Sequence, residues 1–117
     1  MPLHHAVTIQ DKAAEVGFDW PSAHGAREKV REELNELEHA ITTQEIVEEI
    51  GDLLFSVVNV ARKYKVDPSQ ALALATEKFI WRFQKVEHIA ACDLTTLTPD
   101  QLEELWKQAK NSQKISR

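Results

Sequence analysis

TTQEIVEEIGDLLFSVVNVARKY, residues 42–64, combines a strongly apolar helix with carboxylates set inside it. Thr42 and Glu45 have capping-box spacing, so a helix starts here, and no proline stops it before about Tyr64. Ile46, Ile50, Leu53, Leu54, Phe55, Val57, Val58, Val60 and Ala61 cover most of its circumference. A helix apolar nearly all round is central to a fold or buried at a subunit interface. Asp52 directly precedes Leu53-Leu54-Phe55, in the most apolar part of the chain. Burying a carboxylate there is costly unless it is paired or bound to a cation.

Outward from this segment the pattern stays helical. Towards the N-terminus, Val30, Leu34, Leu37 and Ile41 recur at helical spacing and predict a helix over about 27–41. Before it, a helix over about 3–16 ends at Gly17, followed by the loop Phe18-Asp19-Trp20-Pro21. Towards the C-terminus, Asp67-Pro68 caps a helix running to about Ala91. Thr98-Pro99-Asp100-Gln101 opens a last one ending near Asn111. Short links favour antiparallel neighbours, so the expected fold is an all-α antiparallel bundle of about five helices. Residues 1–111 read as one domain and 112–117 as a loose polar tail.

Composition narrows the function classes. A net charge of −5 with no basic stripe argues against binding nucleic acid. No apolar run approaches the length of a membrane span, and the N-terminus lacks a signal-peptide pattern, so no membrane partner is expected. Cys92 is the single cysteine, which makes a cytoplasmic location the default. An acidic protein can still bind a polyanion if divalent metals supply positive charge.

The carboxylates fall on facing sides. Glu33 lies about 60° off the apolar stripe of its helix and Glu36 about 120°, on the same side. Glu49 and Asp52, three residues apart, share one side of the next helix. A tight turn between the two helices brings all four carboxylates together, and a hard divalent cation relieves their repulsion. Oxygen-only ligands select Mg²⁺ or Mn²⁺. Acidic runs such as Glu32-Glu33 and Glu48-Glu49 are more often solvated faces, and the position of Asp52 favours the metal. Glu36-x-x-His39 fits half of a di-iron ligand set, but a second such pair is missing.

The same residues resemble a known family. Glu32-Glu33-x-x-Glu36 followed by Glu49-x-x-Asp52 is similar to the signature of the MazG nucleotide pyrophosphohydrolases, in the all-α NTP pyrophosphatase superfamily. Val16-Gly17-Phe18-Asp19-Trp20, Val58-Asn59-x-Ala61-Arg62 and Lys78-Phe79-x-x-Arg82-Phe83 resemble further blocks of that family in the right order. The resemblance covers nearly the whole chain and is nearest to the C-terminal repeat of two-repeat MazG proteins. It implies a bundle that assembles as a dimer or dimer of dimers. It places Glu33, Glu36, Glu49 and Asp52 as magnesium ligands acting through the metal in catalysis. The implied reaction is attack of water at the α-phosphorus of a nucleoside triphosphate, releasing pyrophosphate, in a nucleotide house-cleaning role. Glu32, Glu45 and Glu48 are open alternatives for the general base.

Other side chains have two readings each. Lys78 and Arg82, four apart, suit phosphate oxygens or are surface charges paired with Glu77 or Glu87. With the resemblance they become phosphate ligands, although Thr76 stands where the family more often has Asn. Asn59 either meets a sugar or base or serves as a buried hydrogen-bond hub. Trp20 and Phe18 either stack on a base or plug the end of the bundle. Trp81 and Trp106 read as packing or interface residues, and the five histidines have no assigned role. Two other functions compete: a non-catalytic helical interaction module derived from a MazG repeat, and a narrow dCTP or dUTP diphosphatase.

Overall fold

The computed structural model describes residues 1–116, with side chains through Gln113. It is all-α, as expected: five α-helices and one 3-10 turn, with no strand among the described residues. The helices are α1 (Pro2–Glu15), α2 (Ala23–Glu38), α3 (Thr43–Lys63), α4 (Pro68–Ala90) and α5 (Pro99–Ser116). No helix is long and apolar enough to cross a membrane.

Local chemistry sets the boundaries. At the end of α1, Gly17 sits at φ +86°, its N–H bonded to Ala14 and that of Phe18 to Ala13, a glycine-terminated helix stop. The capping box opening α3 is closed: Glu45 N donates to Thr42 Oγ1 at 3.1 Å, and Thr42 N donates to Glu45 Oε1 at 3.4 Å. Thr98 and Gln101 repeat the device at α5, with bonds of 3.2 and 2.8 Å. Asp67 Oδ1 accepts from Ser69 N at 2.9 Å and caps α4. Two boundaries differ from expectation. The second helix starts at Ala23, four residues before the predicted Arg27, with Ser22 in the cap position. Gly25 is tolerated in its first turn because the Trp20 ring packs where a side chain would stand. The last helix continues past Asn111, so the expected tail is helical as far as Ser116, and Arg117 lies outside the described residues.

The chain divides into two compact units, residues 1–71 and 72 onward. In the first, α2 and α3 form an antiparallel hairpin: Glu33 meets Glu49 near the turn, and Arg27 hydrogen-bonds Tyr64 far from it. Helix α1 packs on α3, where Gln10 Nε2 donates to the Phe55 carbonyl at 3.0 Å. The buried residues here are few and mostly small, including Ala26, Ser56 and Val58. Much of α3's apolar surface stays open, with Leu54 57% and Phe55 48% exposed. In the second unit, α4 and α5 meet through Phe79 and Trp106, whose rings are 5.3 Å apart, and its buried residues include Val86 on α4 and Ala109 on α5.

Candidate active site

The α2–α3 hairpin brings one carboxylate oxygen each from Glu33, Glu49 and Asp52 within 4.8 Å of one another. Glu33 lies seven residues from buried Ala26, on the face of α2 turned to α3, and is only 7% exposed. Glu49 is half-buried and Asp52 exposed. The carboxylate that the fold buries is therefore Glu33, where the sequence pointed to Asp52. Asp52 escapes burial because the apolar residues following it, Leu54 and Phe55, are themselves open to solvent. Glu36 is exposed and stands outside the tight group, close enough for its charge to act on Glu49.

Repulsion within the group is legible in Glu49. Its carboxyl is pushed above the usual carboxylate range, first by burial, then by the Glu33 carboxyl and the charges of Asp52 and Glu36. Its Oε2 is covered and has no hydrogen-bond partner. An orphaned acceptor facing two further carboxylates fits a hard cation with oxygen ligands. Lys29 supplies a counter-charge, with Nζ 3.0 Å from Glu33 and 3.2 Å from Glu32. The Glu33 bond, and then the Glu32 bond, raise the pKa of this ammonium.

Beside the cluster lies a cavity of about 610 Å³, lined by Lys29, Ser56, Asn59, Trp20, Phe18 and Gln10 among others. Trp20 thus forms a cavity wall and is 40% exposed. Asn59 has its Oδ1 engaged by Arg62 at 2.9 and 3.1 Å. Two of the three candidate bases are already occupied: Glu45 in the capping box and Glu32 with Lys29. His39 bonds the Asn35 carbonyl of its own helix at 2.8 Å.

Lys78 and Arg82 belong to the second unit. Lys78 is exposed on α4. Arg82 donates to Gln113 Oε1 at 2.6 Å, and its guanidinium lies 5.9 Å from the Trp106 ring centre. Trp106 therefore packs within its unit, as one sequence reading had it.

Sequence reasoning assigned no role to Lys29, Arg62, Asp19 or Gln10. The four-residue interval from Lys29 to Glu33 was a usable signal, as was the three-residue interval from Asn59 to Arg62. Asp19 entered only as a member of the family block at residues 16–20, and nothing marked Gln10; the partners of both are more than forty residues away.

Comparison with known proteins identifies the family. The model of the MazG nucleotide pyrophosphohydrolase domain matches residues 22–87, the stretch that contains all four predicted metal ligands. The nucleoside triphosphate pyrophosphohydrolase/pyrophosphatase MazG of Thermotoga maritima is 47% identical over 111 residues, covering 92% of this chain and 44% of that protein. The nucleoside triphosphate pyrophosphohydrolase of Escherichia coli K12 is 39% identical over 119 residues, covering 95% of this chain and 45% of that protein. The chain thus spans less than half the length of these curated relatives. With more than half of its residues matched by the family's own model and the acidic signature assembled on one hairpin, this chain belongs to the MazG nucleotide pyrophosphohydrolase domain family.

Proposed function

We propose that the chain hydrolyses nucleoside triphosphates to the monophosphate and pyrophosphate, with Mg²⁺ held by Glu33, Glu49 and Asp52 and joined by Glu36. The observation that carries this reading is the convergence of three carboxylates, one with an orphaned buried oxygen, beside a cavity large enough for a nucleoside. Mn²⁺ would satisfy the same oxygen donors. When bound, such an ion offsets phosphate charge and eases deprotonation of the attacking water.

The chain's own residues bind and orient. Trp20 offers an aromatic face to a base, and Asn59 offers its amide NH₂ to a sugar or base acceptor. Lys78 and Arg82 are proposed phosphate ligands because they occupy family blocks, Arg82 using the N–H groups not spent on Gln113. The family match crosses both units, which supports reading residues 1–111 as one domain. The open apolar surface of α3, with Leu54, Phe55 and Val57 about half exposed, supports a homo-oligomer that covers it. A house-cleaning role in the cytoplasm follows from the same reading.

The test is incubation with the common NTPs and dNTPs, with and without Mg²⁺, and identification of products by anion-exchange chromatography. Metal-dependent formation of monophosphate and pyrophosphate is expected. Diphosphate with orthophosphate would overturn the proposed chemistry, and no turnover would favour a non-catalytic interaction module.

A further inference from the structure

The loop between α1 and α2 carries the aromatic wall of the cavity, yet Phe18 is 81% exposed and Trp20 40% exposed. Burial alone does not hold such a loop. Polar contacts do, and they converge on two cations near the end of α3. Arg62 is 14% exposed and pairs with Asp19 through Nη2. The same guanidinium donates twice to Asn59 Oδ1, and its Nη1 lies 3.7 Å from Asp11 of α1. Lys63 Nζ donates to the Trp20 carbonyl at 2.6 Å and lies 3.3 Å from Asp19 Oδ2. Behind the loop, the Trp20 ring rests on Gly25.

We infer that Arg62 is a positioning residue, which grips Asp19 and Asn59 together and so holds the Phe18–Trp20 wall and the Asn59 amide in register for a nucleobase. The inference rests on the proposed function, because a base is the ligand such a wall would stack. A guanidinium only donates. Its two bonds to Asn59 therefore turn the amide oxygen towards Arg62 and leave the NH₂ as the group Asn59 offers. One planar fork serves three side chains at once in a fixed geometry, which the compact ammonium of a lysine at the same position does not reproduce.

The test compares Arg62→Lys and Asp19→Asn with the unaltered full chain, using dATP as substrate and inorganic tripolyphosphate as a competitor without a base. Each variant should raise KM for dATP about tenfold, the scale of one weakened base–aromatic stack. Turnover and tripolyphosphate inhibition should stay within about twofold, because the phosphates need no aromatic wall. Hydrogen exchange over residues 17–22 should speed up in both variants. An equal rise in KM and in the tripolyphosphate constant would mean general damage and overturn the inference, as would unchanged exchange or unchanged KM. Asp19→Asn keeps the test decisive if Arg62→Lys folds poorly. If the unaltered chain turns over no nucleotide, the functional reading fails. The positioning role is then decided by exchange together with dATP affinity from calorimetry, and equal affinities would refute it.

Discussion

A side chain at Gly25 should couple directly to the Trp20 wall. A Cβ there would stand 2.9 Å from Trp20 Cε3, closer than real contacts allow, and the rigid indole could yield only by moving as a whole. Two opposing terms set the magnitude for Gly25→Ala. Replacing glycine in a helix gains up to about 1 kcal/mol, and less in the first turn, where Gly25 sits. Forcing an extra methyl into an occupied space costs about 1–3 kcal/mol. The net expectation is a loss of about 1 kcal/mol and a displaced Trp20. In a Trp20→Ala background the obstruction is gone, so the same substitution should stabilise by a few tenths to about 1 kcal/mol. Urea unfolding of the four proteins at one fixed protein concentration measures this cycle, with the m-value checked for constancy. A change of sign between backgrounds is the signature. Equal effects in both, with coupling below about 0.5 kcal/mol, would refute the contact and with it the view that Gly25 is there for Trp20.

Glu49→Gln removes one of three converging charges, so the variant should melt higher than the unaltered chain without metal and lose the stabilisation by Mg²⁺. Scanning fluorimetry with and without Mg²⁺ reads both, and a full Mg²⁺ shift in the variant would place the ion elsewhere. Asp19 is held below its usual value of 3.8, chiefly by the Arg62 hydrogen bond, which outweighs its desolvation, with Lys63 adding to the effect. A carboxylate lowered by folding stabilises above its unfolded pKa, and that stability is lost as pH falls through the folded value. Acid unfolding below about pH 4 should therefore be shallower in Asp19→Asn, and parallel curves would dismiss the pairing. Leu54→Glu places a charge on the open face of α3. Sedimentation should show a dimer for the unaltered chain and a monomer for the variant, and an unaltered chain that is already monomeric at micromolar concentration would end the interface reading.

The fold was legible because its signals are local. Thr42 with Glu45, Thr98 with Gln101, Asp67-Pro68 and Gly17 each announce a helix end through chemistry within a few residues, and each is used as read. The pairing of Glu33 with Glu49 was legible too, because a short turn leaves a hairpin little choice. Burial was not. Asp52 looked buried because its sequence neighbours are apolar, but helical neighbours in sequence point in different directions, and α3 leaves several of them uncovered. Arg62 was legible only in part: its spacing from Asn59 is local, but its hold on the loop is not. Its role depends on Asp19, 43 residues away on a loop whose path no periodicity describes.

Charge accounting ties the cavity to the cluster. Glu33, Glu49 and Asp52 converge, and Glu36 acts on Glu49 from nearby. Among the described residues, the one ammonium paired with the group, Lys29, reaches only Glu33 and Glu32, which leaves an excess of negative charge on the hairpin. Lys29 cannot neutralise more, because it is already shared between Glu33 and Glu32, and Glu49 keeps a covered oxygen without a hydrogen-bond partner. A divalent ion would offset more of this charge than a monovalent one and give Glu49 a partner. A polyanion arriving without that ion would meet repulsion at the very place where Lys29 and Asn59 line the cavity. Affinity for a triphosphate should therefore depend on metal more steeply than affinity for the bare nucleoside. Calorimetry with dATP and deoxyadenosine, each with and without Mg²⁺, separates the two. Equal metal dependence for both ligands would mean that the carboxylates act on the fold of the site and not on the charge of the substrate.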